Sequence, residues 1–319
     1  MIKKIILSIC AFVLICNIAF AQKKMAFERT GTIYLYDFAF KSEAKLFDGY
    51  QHSISPEGNA IAFTETDSMG NRYIAIYKIQ PNGILPLTPE FIRFTSVPGS
   101  NSYEPKYSPD GKYLVFNYWN GNDWDIAIVN SDNSNYVNLT EPYRVTTGFT
   151  AGFYSPSWAP DSKSILTHDM KDVYEFDLQG NIINKYSLMK ALTDAKVYPS
   201  SASVFTYNKN KTHLIFDGEN ETFFENLEEP VNGIYSYDIK NNSIKMISPA
   251  DYSSIHPVIS FDGNNIYYSA FGKKDIAVRK SQELDSDYYE IRYSIYTMDM
   301  NGDNVTRIIG DAYSPSITR

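Results

Sequence analysis

The chain has 319 residues, a formal net charge of −8 and two cysteines. That length can bury a sizeable core. The acidic balance argues against nucleic acid or an anionic membrane surface as partner, because both reward basic patches.

Read from its start, the chain opens with Lys3 and Lys4, an apolar run over residues 5–18, and Ala19-Phe20-Ala21 before Gln22. A charged n-region, a short h-region and an A-x-A site predict a secretory signal peptide cleaved after Ala21. The apolar run is shorter than the ~20 residues a spanning helix needs. Bulky Ile15 stands where a lipoprotein signal needs a small residue, which speaks against acylation at Cys16. Cys10 and Cys16 both leave with the signal, so disulfides, thiolate metal sites and cysteine nucleophiles are not expected in the mature chain. Two lysines and no acids leave too, making the mature chain more acidic still. No later segment is long and apolar enough to cross a membrane, so the expected product is periplasmic or secreted, with no membrane span.

The mature chain then begins with Met25-Ala-Phe-Glu28 and Thr32-Ile-Tyr-Leu-Tyr-Asp37, two strand-like runs. Next comes a phrase that returns: Ser55-Pro-Glu-Gly58 leading to Ile61-Ala-Phe63. Its clearest copy is Tyr107-Ser-Pro-Asp-Gly-Lys-Tyr-Leu-Val-Phe116. Pro presets φ at the second turn position, Asp suits the third, and Gly accepts positive φ at the fourth. Further copies are Ala159-Pro-Asp-Ser162 before Ile165-Leu-Thr167, and Ser260-Phe-Asp-Gly263 before Ile266-Tyr-Tyr268. A worn copy, Asn208-Lys-Asn-Lys211 before Leu214-Ile-Phe216, keeps the strand without Pro or Gly. The turns start at 55, 108, 159, 208 and 260, at intervals of 53, 51, 49 and 52 residues. A fixed period near fifty marks an array of like supersecondary units.

Around each turn the same parts recur. An aromatic-x-Pro-x-aromatic segment precedes it, as in Tyr103-Glu-Pro-Lys-Tyr107 and Tyr154-Ser-Pro-Ser-Trp158, with Ile255-His-Pro-Val-Ile259 as an aliphatic variant. A third, alternating strand follows, such as Asp125-Ile-Ala-Ile-Val129 or Ile295-Tyr-Thr-Met298. A polar turn and a fourth strand complete the unit. Four short antiparallel strands per repeat make a propeller blade; a β-sandwich would not explain the constant period, and no helical periodicity of useful length is visible. The segment Ala312-Tyr-Ser-Pro-Ser-Ile317 matches the start of a first strand and supplies what residues 25–37 lack. The fold class expected is therefore an all-β, six-bladed propeller of four-stranded blades, closed by the C-terminal strand, in one domain over residues 22–319.

The phrase Ser-Pro-Asp-Gly-Lys-x-Leu-x-Phe, with the preceding x-x-Pro-x-aromatic and the following Asp-Ile-Tyr-like strand, resembles the PD40 (WD40-like) repeat of TolB-type six-bladed propellers. The resemblance spans residues 22–319, with four clear copies and one degraded. It implies a propeller and no particular activity, since that family hosts interaction modules and, less often, enzymes. TolB-type chains also carry an N-terminal α/β domain for which residues 22–319 leave no room, so a role in the Tol envelope system is not carried over.

Function must then be sought where the repeat fails. In such propellers the second-to-third-strand loops surround one mouth of the central channel. They are short in blades one, three and six. Long ones are expected at residues 217–233 in blade four, with Phe223, Phe224 and Glu225, and at residues 272–292 in blade five, with Lys274, Arg279, Tyr288 and Tyr289. Loops on a rigid scaffold carry binding chemistry, so these residues are candidate ligand contacts; solvated loop growth is the plainer explanation. Trp119, in Tyr118-Trp-Asn-Gly-Asn-Asp-Trp124, suits a sugar ring or a protein partner, unless it folds onto a neighbouring blade. Trp158 belongs to the core.

Some propellers similar to TolB are metal-assisted pectic lyases, which directs attention to His52, His168 and His256. His52 and His256 sit at the start of innermost strands and His168 follows a second strand, with Gln51 and Glu104 on the same rim. Coming from blades one, five and three without close spacing, they do not read as a metal site. No Gly-x-Ser-x-Gly elbow and no phosphate loop is present, and no cofactor is expected. The expectation is a binding or scaffold module that engages a protein or envelope polymer at the channel mouth, with Glu104 and His256 among its contacts. The alternative is a carbohydrate-active enzyme, a lyase or hydrolase, at the same place.

Overall fold

A computed structural model describes residues 23–80, 89–224, 227, 230–280 and 287–319. The signal-peptide segment lies outside the described residues. Six four-stranded antiparallel sheets follow one another around a ring. Blade one runs outward from Tyr50–Ile54 through Ala60–Thr66 and Arg72–Lys78 to Phe91–Arg93. The innermost strands of blades two to five are Ser102–Tyr107, Tyr154–Trp158, Thr206–Tyr207 and Tyr252–Ile259. Blade six takes its innermost strand from the other end of the chain. Tyr313–Ile317 pairs with Lys24–Arg29, followed by Thr32–Asp37 and Ser42–Asp48. The ring is thereby closed, and no blade is left with a bare inner edge.

The apolar triplets explain why the blades stack. In a strand, successive side chains point to opposite faces. Ile61 and Phe63 join one buried cluster with Ala26, Ile33 and Phe47 of blade six, while Ala62 joins another with Leu114 and Phe116 of blade two. The same alternation sends Val115 to the blade-three side and Ile215 to the blade-five side. Six clusters, one between each pair of neighbouring blades, make up the core. Strands buried on both faces read as continuous apolar runs, which is what Ile-Ala-Phe and Leu-Val-Phe are.

The recurring turn closes as its residues require. Gly111 N–H donates to the Ser108 carbonyl at 2.9 Å with φ of +74° at Gly111. Ser108 Oγ donates to Asp110 Oδ1 (2.7 Å) and accepts from Tyr113 N–H (3.0 Å). Blades three and four put Ser162 and Lys211 into the same left-handed conformation, at φ of +60° and +56°.

Two features go beyond the sequence pattern. Helices are present among the described residues: α1 (Glu141–Thr147) and α2 (Met189–Ala195) bridge blades two to three and three to four. Each spans only about two turns, too short for a 3.6-residue period to show; Pro near the start and left-handed Gly148 (φ 68°) at the end delimit α1. The described part of the insertion of blade four is also largely strand rather than loop. His213–Phe223 and Pro230–Asp238 simply run on past their neighbours. That of blade five holds a second two-stranded ribbon, Ile276–Lys280 with Asp287–Ile291.

Candidate functional site

In every blade the fourth residue of the second-strand motif is polar, and the three before it are apolar except for Thr167 in blade three. The fourth residues are Glu28, Thr64, Asn117, His168, Asp217 and Ser269. All lie next to the innermost strand of the following blade. Four of them accept the backbone N–H of a residue there, at 2.6–3.0 Å: Gln51 to Glu28 Oε1, Glu104 to Thr64 Oγ1, Ser155 to Asn117 Oδ1 and Ser314 to Ser269 Oγ. The His256 N–H bonds the Asp217 carboxyl in the same way.

The five donors share a backbone conformation. Gln51, Glu104, Ser155, His256 and Ser314 have φ between +44° and +58°. Each sits where the pairing of innermost and second strands slips register. A bulge re-aims side chains and tightens local twist, and a left-handed non-glycine residue costs about 1–2 kcal/mol. The latch from the preceding blade holds each one in place. Four of the five precede a proline, so the variable x of the aromatic-x-Pro-x-aromatic segment is the strained position.

Inside this ring lies a cavity of about 550 Å³, bounded by the innermost strands of all six blades. Glu28, Gln51, His52, Glu104, His256 and Tyr313 surround one end, and the turn residues Pro56, Pro109, Pro160, Lys209 and Phe261 the other. Glu104 forms an ion pair with Lys106 (3.1 Å) and accepts from Asn117 Nδ2 (3.3 Å). His52 Nδ1 lies 3.2 Å from Glu28 Oε1. The His256 ring meets Tyr313 edge-on, with centroids 4.8 Å apart. Burial raises the Tyr313 phenol, and the nearby Tyr293, Glu28, Asp217 and Glu104 push it the same way. Burial also raises Asp217, against the opposing pull of His256 and three backbone N–H bonds.

The sequence candidates divide. Glu104 and His256 line the cavity mouth, and so does His52. His168 is buried in the wall between blades three and four; burial pushes its imidazole down to about 4 against the opposing Ser203 backbone and Asp169. The three histidines do not converge, and no group of three His, Cys, Asp or Glu side chains placed to hold a metal occurs among the described residues. Trp119 is half-buried and packs on Trp124 of its own blade at 5.1 Å. Trp124 in turn meets Tyr103 at 5.0 Å, with the Arg72 guanidinium from blade one 4.2 Å over that tyrosine ring. Trp158 is buried, its indole N–H on the Lys106 carbonyl, yet one side of it faces the cavity.

On the long insertions, Phe223 is 54 % exposed whereas Phe224 is buried, edge-on to Phe271 at 5.9 Å. Phe224 is thus a core residue of the insertion rather than an open contact. Lys274 is exposed in the 3-10 turn Lys273–Asp275. Arg279 pairs with Tyr288, and Val278 with Tyr289, across the ribbon. Glu225, and the side chains of Arg279, Tyr288 and Tyr289, lie outside the described residues. Sequence reasoning missed Glu28, Lys106 and Tyr313. The signal for Glu28 was there, in the polar fourth column that appears when the repeats are read one beneath another.

The architecture defines a TolB-like six-bladed β-propeller with an open axial channel. Similar solved structures include TolB from Acinetobacter baumannii, with a TM-score of 0.58 and 13 % identity over 94 % of this chain and 67 % of that one. The putative TolB from Agrobacterium tumefaciens gives 0.57 and 13 %, covering 93 % and 98 % of the two chains. A chain of a nidogen–laminin complex gives 0.55 and 10 %, covering 93 % and 98 %. No family model and no curated protein matches the chain. At these identities the likeness concerns the fold.

Proposed function

We propose that the protein is an exported binding module that engages a protein or envelope polymer at the raised side of the channel mouth. One observation carries the reading. Blades four and five are neighbours, both overrun the mouth, and their extensions are tied together by a cluster of their own. Phe224, Leu227 and Val231 of blade four pack with Phe271 of blade five, with Ile276, Ile291 and Tyr293 against them. A wall with its own small core is held rigidly, which lowers the ordering cost of binding. Phe223 and Tyr198 stand exposed beside it, at 54 % and 52 %. Residue pairing Tyr198↔Glu219 and the Lys196–Glu221 ion pair fix that edge. The similar chain from a nidogen–laminin complex belongs to a protein–protein assembly, which supports a partner of that kind. Export rests on the residue 1–21 pattern and places the partner in the periplasm or the medium.

The test is affinity purification of the processed protein from its own cell envelope, with residues 277–290 either intact or replaced by a two-residue turn that keeps Ile276 and Ile291. The expected result is one or more partners lost with the ribbon while the melting temperature is kept. An unchanged set of partners, or a purified chain that still begins at residue 1, would contradict the corresponding half of the reading.

A further inference from the structure

The wall of the axial cavity changes character along its length. In its middle stand Trp158, Val204, Tyr207, Val258 and Ile259. Trp158 has its indole N–H on the Lys106 carbonyl at 2.9 Å. The Tyr207 hydroxyl lies 2.8 Å from Glu175 Oε2 and 2.6 Å from the Tyr186 hydroxyl. Their polar ends are satisfied elsewhere, and with Trp158 at 7 % and Tyr207 at 2 % exposure the apolar surface open to the cavity comes mainly from the half-buried Val204, Val258 and Ile259. A volume of about 550 Å³ falls in the range of small-molecule sites, which are largely apolar with a few placed polar groups.

The placed groups are at the mouth. Glu28 Oε1 accepts the Gln51 N–H at 2.6 Å and faces His52 Nδ1 at 3.2 Å. The His52 side chain is fully covered and its Nε2 buried, so of this pair it is Glu28, 13 % exposed, that can meet a ligand. Glu28 Oε2 makes no hydrogen bond among the described residues. The neighbouring cation, Lys106, is already committed to Glu104 and to the Pro156 carbonyl at 3.0 Å. An anionic acceptor with a free oxygen therefore sits at the end of an apolar tube. A group with N–H donors and a positive charge answers it, and an ammonium has three donors.

We propose that the channel binds a small amphiphilic amine, with its apolar body against Val204, Val258 and the edge of Trp158 and its ammonium head on Glu28. This ligand is distinct from any macromolecule on the outer wall and does not depend on that reading.

The experiment is isothermal titration of the full processed chain with 4-phenylbutylamine, 4-phenylbutanol and 4-phenylbutyrate, which share a body and differ in the head. The amine is expected to bind with a dissociation constant of about 1 mM or tighter, and at least about tenfold more tightly than the acid. Glu28→Gln keeps an oxygen acceptor for Gln51 and His52 but removes the charge, so it should erase the preference for amine over alcohol. Val204→Trp fills the tube and should abolish binding of all three. Melting temperatures report whether each variant is folded, and the Glu28→Gln result stands by itself if the bulkier change is not tolerated. Replacing residues 277–290 should leave amine binding unchanged. No heat with the amine at about 10 mM, equal affinity for amine and acid, or a preference that survives Glu28→Gln would overturn the proposal.

Discussion

His168 is the clearest case of a polar residue whose environment decides its chemistry. It occupies the same column as Glu28, Thr64, Asn117, Asp217 and Ser269, but the blade it faces has the worn repeat and offers no left-handed partner. Its Nδ1 accepts from the Met170 N–H of its own hairpin at 3.1 Å, and its ring packs 5.1 Å from Phe205. Burial lowers its pKa from 6.5 to about 4. A folded-state value below the unfolded one means that the unfolded chain binds the proton first as pH falls. The stability from this neutral imidazole is thus full above about 6.5 and is lost progressively as pH falls to about 4. The shift corresponds to roughly 3 kcal/mol. Urea titrations at pH 7 and pH 4 should show His168→Gln losing less stability than the parent by that order; an identical loss in both proteins would refute the assignment.

At the scale of the element, the conspicuous turn at Ser108–Gly111 proves to be architecture with a second duty. Pro56, Pro109, Pro160, Lys209 and Phe261 hold the same turn position in five blades and together rim the channel end away from the bulges. Adjacent turns also touch. A Cβ on Gly111 would come within 3.1 Å of Glu57 Oε2 in the preceding blade, at φ of +74°. Gly111→Val should therefore cost about 1–2 kcal/mol from the backbone alone, read as a lower urea midpoint, while binding at the outer wall stays intact in the folded fraction. Loss of wall binding in a fully folded variant would put the functional face at the wrong end. The bulge on each innermost strand is the opposite kind of element. Its residues are Gln, Glu, Ser, His and Ser, which share no chemistry, so nothing in their types announces a common left-handed conformation. The strain is imposed by the latch from the neighbouring blade.

Over the whole molecule, closure couples the two ends of the chain. Tyr313–Ile317 pairs with Lys24–Arg29, Lys24 N–H donates to Thr318 Oγ1 at 2.8 Å, and Ile54 N–H to Ser316 Oγ at 3.1 Å. Ile317 and Ala312 are buried in the cluster between blades five and six. Removing residues 313–319 would bare the inner edge of Lys24–Arg29 and open that cluster, and an exposed edge strand pairs with other chains. The truncated protein is expected to aggregate or to melt without a cooperative transition, as followed by size exclusion and circular dichroism. A monomer melting within a few degrees of the parent would show that the ring needs no clasp.

Blade number, strand order and the pairing of the two chain ends were all legible in the sequence, because each blade repeats one local code of turn chemistry and period-two burial every fifty residues or so. Local rules suffice there: a Ser-Pro-Asp-Gly turn and an Ile-Ala-Phe strand mean the same thing in every copy. The Trp119 environment, the burial of Phe224 and the joining of two insertions into one wall depend on contacts between segments that no local rule connects. The channel mouth is the extreme example. Glu28, His52, Glu104 and His256 belong to four blades, and only closing the ring brings them around one cavity. Which polar atoms are satisfied there, and which remain open to a ligand, follows from distances between blades, so it was the tertiary structure that decided it.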